Sequence, residues 1–108
     1  MANYYKNAKK DLTTTDVTTL YTAPSSTSAV FKSILVTDDS GNTSTITLTI
    51  TSGSDVFAIF TTKATVANGT VELLTQPLVV EESEILKVTA GNANRLHVVA
   101  SFLEVTNE

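Results

Sequence analysis

Apolar and polar residues alternate along most of this chain. The cleanest stretch is 45–51, where Ile46, Leu48 and Ile50 share one side and Thr45, Thr47, Thr49 and Thr51 share the other. A period of two marks a half-buried strand of an antiparallel sheet, with one side on the core and the other facing water or a partner. Shorter runs of strand-forming residues occupy 16–23, 29–37, 56–61, 63–66, 70–74, 78–81, 85–90 and 96–105. Turn-forming residues separate them: Pro24 with a Ser/Thr cluster, Asp38-Asp39-Ser40-Gly41-Asn42, Ser52-Gly53-Ser54-Asp55, Asn68-Gly69, Pro77, and Gly91-Asn92-Ala93-Asn94. Asn68-Gly69, set between two strand runs, predicts a tight hairpin. Eight to nine short strands with no helical period predict an all-β fold. The expected form is a two-sheet antiparallel β-sandwich with jelly-roll or Greek-key connections.

The length of 108 residues suits one domain over 12–108, preceded by a flexible N-terminal basic arm over 1–11. Charge separates the two. Lys6, Lys9 and Lys10 are three of the seven basic residues, and positions 1–10 hold no acid. The other four basic residues face eleven acidic ones, a net of −7 for 11–108. An acidic body opposes phosphate, so nucleic-acid binding is not expected. No apolar run approaches the ~18 residues that a membrane helix needs, and no membrane contact is expected. The start has no apolar signal-peptide core, and synthesis in the cytoplasm is expected. There is no cysteine, which excludes disulfides and thiolate metal sites.

Threonine makes up about a fifth of the chain. Its β-branch suits a pleated strand. A threonine-rich, charge-poor strand face suits broad contact with another protein.

Little here points to catalysis. His97 is the one histidine and falls out of phase with Leu96 and Val98, on the polar side of its strand. No serine lies in a nucleophile-elbow sequence to complete a triad with it. Asp38, Asp39, Ser40 and Asn42 lack the alternating spacing and distal glutamate of a calcium loop and read as a turn. Glu81, Glu82 and Glu84 read as a solvated turn. No enzyme, cofactor or metal is expected.

Several strand-and-turn runs belong together: Leu20-Tyr21-Thr22-Ala23-Pro24 and Ala29-Val30-Phe31-Lys32-Ser33-Ile34-Leu35-Val36, then Ala67-Asn68-Gly69-Thr70-Val71-Glu72-Leu73-Leu74 and Pro77-Leu78-Val79-Val80. Ile85-Leu86-Lys87-Val88-Thr89-Ala90 and Val98-Val99-Ala100-Ser101-Phe102-Leu103-Glu104 complete the set. In these runs the chain resembles small virion structural proteins of tailed bacteriophages, marine phages and cyanophages among them. The resemblance covers about residues 15–105, through strand and turn motifs that carry no catalytic residue. It implies a many-copy β-sandwich on the particle: a capsid decoration (cement) protein bound to the major capsid protein, or a neck, tail or fibre component. A carbohydrate- or host-receptor-binding module is the alternative of another class. The contact residues expected are Tyr4, Tyr5, Lys6, Lys9 and Lys10 on the arm and Thr45, Thr47 and Thr49 on the threonine face. Residues 56–60 are apolar on both sides of their strand and need cover on both. That requirement predicts a homo-oligomer, with this strand or the last one near the contact. The decoration reading that the resemblance implies makes it a trimer.

Overall fold

The computed structural model describes residues 2–106 and consists of nine strands. They are β1 (Ala2–Leu12), β2 (Thr18–Thr22), β3 (Thr27–Asp38), β4 (Thr45–Ser52), β5 (Asp55–Ala64), β6 (Thr70–Glu72), β7 (Leu78–Val80), β8 (Ile85–Ala90) and β9 (Leu96–Thr106). Sheet A runs β1-β9-β3, with β6 and β7 end to end along the far side of β3. Sheet B runs β2-β8-β4-β5. Every pairing is antiparallel.

The connectivity is a jelly roll. The pairs β1·β9, β2·β8, β3·β6/β7 and β4·β5 nest like the two arms of one long hairpin. Rolling that hairpin up brings β9 beside β3 and β8 beside β4, so successive strand pairs alternate between the two sheets.

Alternation decides what lies between the sheets. Phe31, Ile34 and Val36 of β3 and Leu96, Val98, Ala100 and Phe102 of β9 face inward from sheet A. Ile46 and Leu48 of β4 and Leu86, Val88 and Ala90 of β8 face them from sheet B. Burying each large apolar side chain contributes about 1.5–3 kcal/mol. The threonines of β4 fall on the opposite side, as the alternation predicts.

Residues 2–11 are not a flexible arm. They form β1, which pairs with β9 along its whole length, from Ala2 opposite Thr106 to Leu12 opposite Leu96. Met1 lies outside the described residues. The segment lacks an apolar period because β1 is an edge strand: on its inward side Lys6 and Lys10 alternate with Tyr4, Ala8 and Leu12. Backbone pairing to β9 supplies what side-chain burial does not.

The Asn68-Gly69 turn is also not a hairpin loop. It carries the chain from sheet B to sheet A, because β5 pairs with β4 and β6 with β3. Gly69 N–H closes the turn on the Val66 carbonyl at 3.0 Å, and the Gly69 carbonyl accepts from Asp38 N–H at 2.9 Å. The hairpin at Gly53-Ser54 does form, with Ser52 opposite Asp55 and Gly53 at φ +63°.

The β5 edge is bulged twice against β4, and Thr62 sits in the left-handed region with its N–H on Thr47 Oγ1 at 3.0 Å. Bulges blunt an edge against unwanted pairing. They also turn Ile59 and Phe60 toward the core, while Val56 and Phe57 stay exposed.

Candidate functional site

The register places the expected contact residues on two opposed surfaces. On the outer side of sheet A, residues line up in rows across the strands. One row is Tyr5–Leu103–Val30–Val79, apolar or aromatic throughout. Another is Lys9–Val99–Leu35–Glu72, with an apolar centre and opposite charges at its ends. Between them lie the small polar residues Asn7, Ser101 and Ser33. The last row is Asp11–His97–Thr37–Thr70. Tyr5 is 82% exposed and Val79 51%. A dent of about 330 Å³ sits at the centre of this face, where Tyr5, Asn7, Lys32 and Ser101 meet.

The outer side of sheet B is the threonine face. Thr19, Lys87, Thr49 and Ala58 form one row, and Thr47 lies beside Thr89. Thr45, Thr47 and Thr49 are half-buried there. Tyr5 and Lys9 therefore share a face with each other but not with the threonines, and no single flat partner can touch both groups.

Tyr4, Lys6 and Lys10 lie on the inward side of β1. Lys6 is already engaged: its Nζ donates to Glu104 Oε1 at 2.7 Å. Tyr21 Oη donates to the other oxygen of that carboxylate at 2.6 Å. Glu104 is buried, and Phe31, Phe102 and Tyr21 pack as an aromatic trio beside it with ring centroids 4.6–5.3 Å apart. The Lys6 and Tyr21 hydrogen bonds, outweighing burial, hold the Glu104 carboxyl below the usual carboxylate range. Burial, then the bond to Glu104 and its charge, push the Tyr21 hydroxyl above the usual phenol value. Both Glu104 oxygens are engaged within the chain, and the cluster fastens the edge strand to the core.

His97 stands on the outer face of sheet A, as its phase predicts. Its Nε2 lies 3.2 Å from Asp11 Oδ1 and its Nδ1 3.7 Å from Asp39 Oδ2. Both ring nitrogens face carboxylates, so neither faces a serine. Asp38 is buried at one end of the sandwich and makes the expected turn, accepting from Ser40 N–H at 3.0 Å and Ser40 Oγ at 2.7 Å. Burial would raise its carboxyl, but the Ser40 and Thr65 bonds and the charge of Arg95 prevail and hold it low. The Glu81–Glu84 segment is a turn, with Glu84 accepting from Glu81 N–H and Glu82 from Ser26 N–H. No cluster of three or more metal-ligating side chains occurs among the described residues.

The apolar outer face was the element that pattern reading missed. Its signal lies in Val98-Val99 and in Ala29-Val30-Phe31, where strand residues on both sides are apolar. The chain matches no protein-family model, no curated protein and no solved structure.

Proposed function

We propose that this chain is a non-enzymatic structural protein of a tailed-phage virion, acting as a capsid decoration protein that binds across subunits of the assembled shell. The observation that carries the reading is the sandwich's allocation of side chains. Most of its charge sits in turns and on β1, while one outer face presents an apolar row and the other a threonine field. Such a domain offers area for contact and little for chemistry. A ligand that binds only the assembled shell stabilises that shell by mass action. The sequence resemblance supplies the setting.

Quantitative mass spectrometry of purified particles tests this. Hundreds of copies per particle support decoration. A handful of copies supports a neck, tail or fibre position instead. Absence from particles refutes the virion reading.

A second reading has one observation in its favour. The Tyr5 ring, beside Asn7, Lys32 and Ser101, could serve as a platform for a sugar. A glycan array without hits removes it.

A further inference from the structure

The outer face of sheet A carries two rows with apolar middles on either side of the polar row Asn7–Ser101–Ser33, and one of the two ends in charges of opposite sign. Lys9 stands at the β1 edge, and Glu72 stands at the β6 edge of the same row. Both are exposed. This arrangement is complementary to itself under one symmetry operation.

We propose that the face is a self-association surface, on which two copies stack sheet A against sheet A about a two-fold axis running parallel to the strands, between β9 and β3. Such an axis exchanges left and right across a row and keeps each row in place. Lys9 then meets Glu72 of the second copy, and Glu72 meets its Lys9. In the next apolar row, Tyr5 meets Val79 and Leu103 meets Val30. In the polar row, Asp11 meets Thr70 and His97 meets Thr37. Every row thus faces a row of its own kind.

A two-fold axis across the strands does the opposite. It inverts the order of the rows and sets Lys9 over Tyr5 and Glu72 over Val79, burying each charge against an apolar group. Burying a charge without a partner is strongly unfavourable. The parallel axis is therefore the one that the face specifies.

Lys32 stands beside that axis. It is exposed and lines the open dent with Asn7 and Ser101, and its long stem lets the amine stay in that space instead of being buried without a counter-charge. Stacked sheets cross at about 30°, so the match is closest near the axis and loosens at the edges.

The area suffices for a reversible pair. Four strands about 4.8 Å apart and five rows, counting Asn3–Val105–Ser28 beyond the Tyr5 row, span about 19 by 30 Å. That is roughly 550 Å² on each copy and 1,100 Å² in the pair, just above the ~1,000 Å² that a specific interface needs. The inference stands independently of the virion reading. It also differs from the trimer that the phage resemblance implies, because the face has two-fold complementarity.

The full chain tests the proposal by sedimentation equilibrium. The expected species is a concentration-dependent dimer. Glu72 already accepts from Ser33 Oγ and from the Ile34 and Leu74 N–H groups, which fix its carboxylate at the edge of the face. Lys9→Glu, an exposed change that leaves those bonds in place, is expected to weaken pairing by at least about tenfold through like-charge opposition. Circular dichroism of the variant verifies that it still folds. Orientation is read by thiol cross-linking, which is clean because the chain has no cysteine. Tyr5→Cys mixed with Val79→Cys is expected to cross-link through a short bifunctional reagent, and neither variant to cross-link with itself. A monomer at every concentration overturns the proposal, and so does a trimer. A dimer indifferent to Lys9→Glu but lost on Phe57→Lys also overturns it, since that dimer would pair through the β5 edge.

Discussion

Lys6 Nζ lies 2.7 Å from Glu104 Oε1, and this contact joins an exposed edge strand to the buried side of its neighbour. The lysine comes from β1 and the glutamate from β9, on the diagonal: Lys6 stands opposite Phe102, and Glu104, two residues further along β9, stands opposite Tyr4. Tyr21 of β2 closes the carboxylate from sheet B. One carboxylate therefore links three strands across both sheets. Glu104→Gln keeps the shape and one acceptor but leaves Lys6 without its counter-charge. The expected loss is about 1–3 kcal/mol, typical of a hydrogen bond to a charged group, measurable by urea unfolding. An unchanged midpoint would show that the contact does no structural work.

The same carboxylate makes stability acid-sensitive. The Glu104 and Asp38 carboxyls are held below their ordinary values in the folded chain. A group lowered on folding contributes stability above its unfolded value and loses it as pH falls through the folded value. The melting temperature is therefore expected to stay level from neutral pH down to about 5 and to drop below about pH 4. Glu104→Gln should flatten part of that drop. Tyr21 has the opposite sign: its raised value contributes stability that is complete below the usual phenol value near 10 and is lost as pH rises through the folded value. Ultraviolet titration should find a phenol that ionises above the usual phenol range and is lost in Tyr21→Phe.

Gly91 is a close-approach glycine. Its N–H donates to the Thr45 carbonyl at 2.9 Å, and a Cβ placed there would collide with Thr45 Oγ1. Thr45 is β-branched and stiff at χ1, so relieving the clash means forcing it out of its rotamer. Gly91→Ala is expected to cost about 1–3 kcal/mol, as overpacking does. Thermal melts of the variant check this, and Gly91→Ala combined with Thr45→Ala should recover much of the loss.

Thr51 offers a gain. Its Oγ1 is buried and finds no hydrogen-bond partner among the described residues. Replacing an unsatisfied hydroxyl by a methyl of the same shape removes the desolvation penalty. Thr51→Val is expected to stabilise the fold by about 1 kcal/mol. Destabilisation would mean that water reaches the hydroxyl.

Most of the sandwich was legible because its central strands alternate. The Thr45–Thr51 pattern, the Gly53 hairpin, the Pro77 restart on an edge strand and the outward phase of His97 all follow from period and turn chemistry. Strand β1 was not legible, because Lys6 and Lys10 occupy positions where an interior strand would carry apolar residues. What holds it is the backbone ladder and a buried glutamate 98 positions away, and period counting sees neither. The Asn68-Gly69 turn misled for a related reason: a tight turn serves equally to reverse a strand within a sheet or to hop between sheets. The two contact groups were identified as residues but not as opposed surfaces, since only the register shows that Lys9 and Thr49 face away from each other. Removing residues 2–11 is therefore a poor probe of contact. It would expose the edge of β9, whereas surface substitutions at Tyr5 or Lys9 leave β1 in place.

The most direct test of the account is imaging of native phage particles with this chain carrying a small label, in parallel with particles that lack it. The account predicts label in many copies at regular positions over the head, and heads that rupture at lower heat when it is missing. Label confined to the tail, no label on the particles at all, or heads equally heat-resistant without the protein would contradict it.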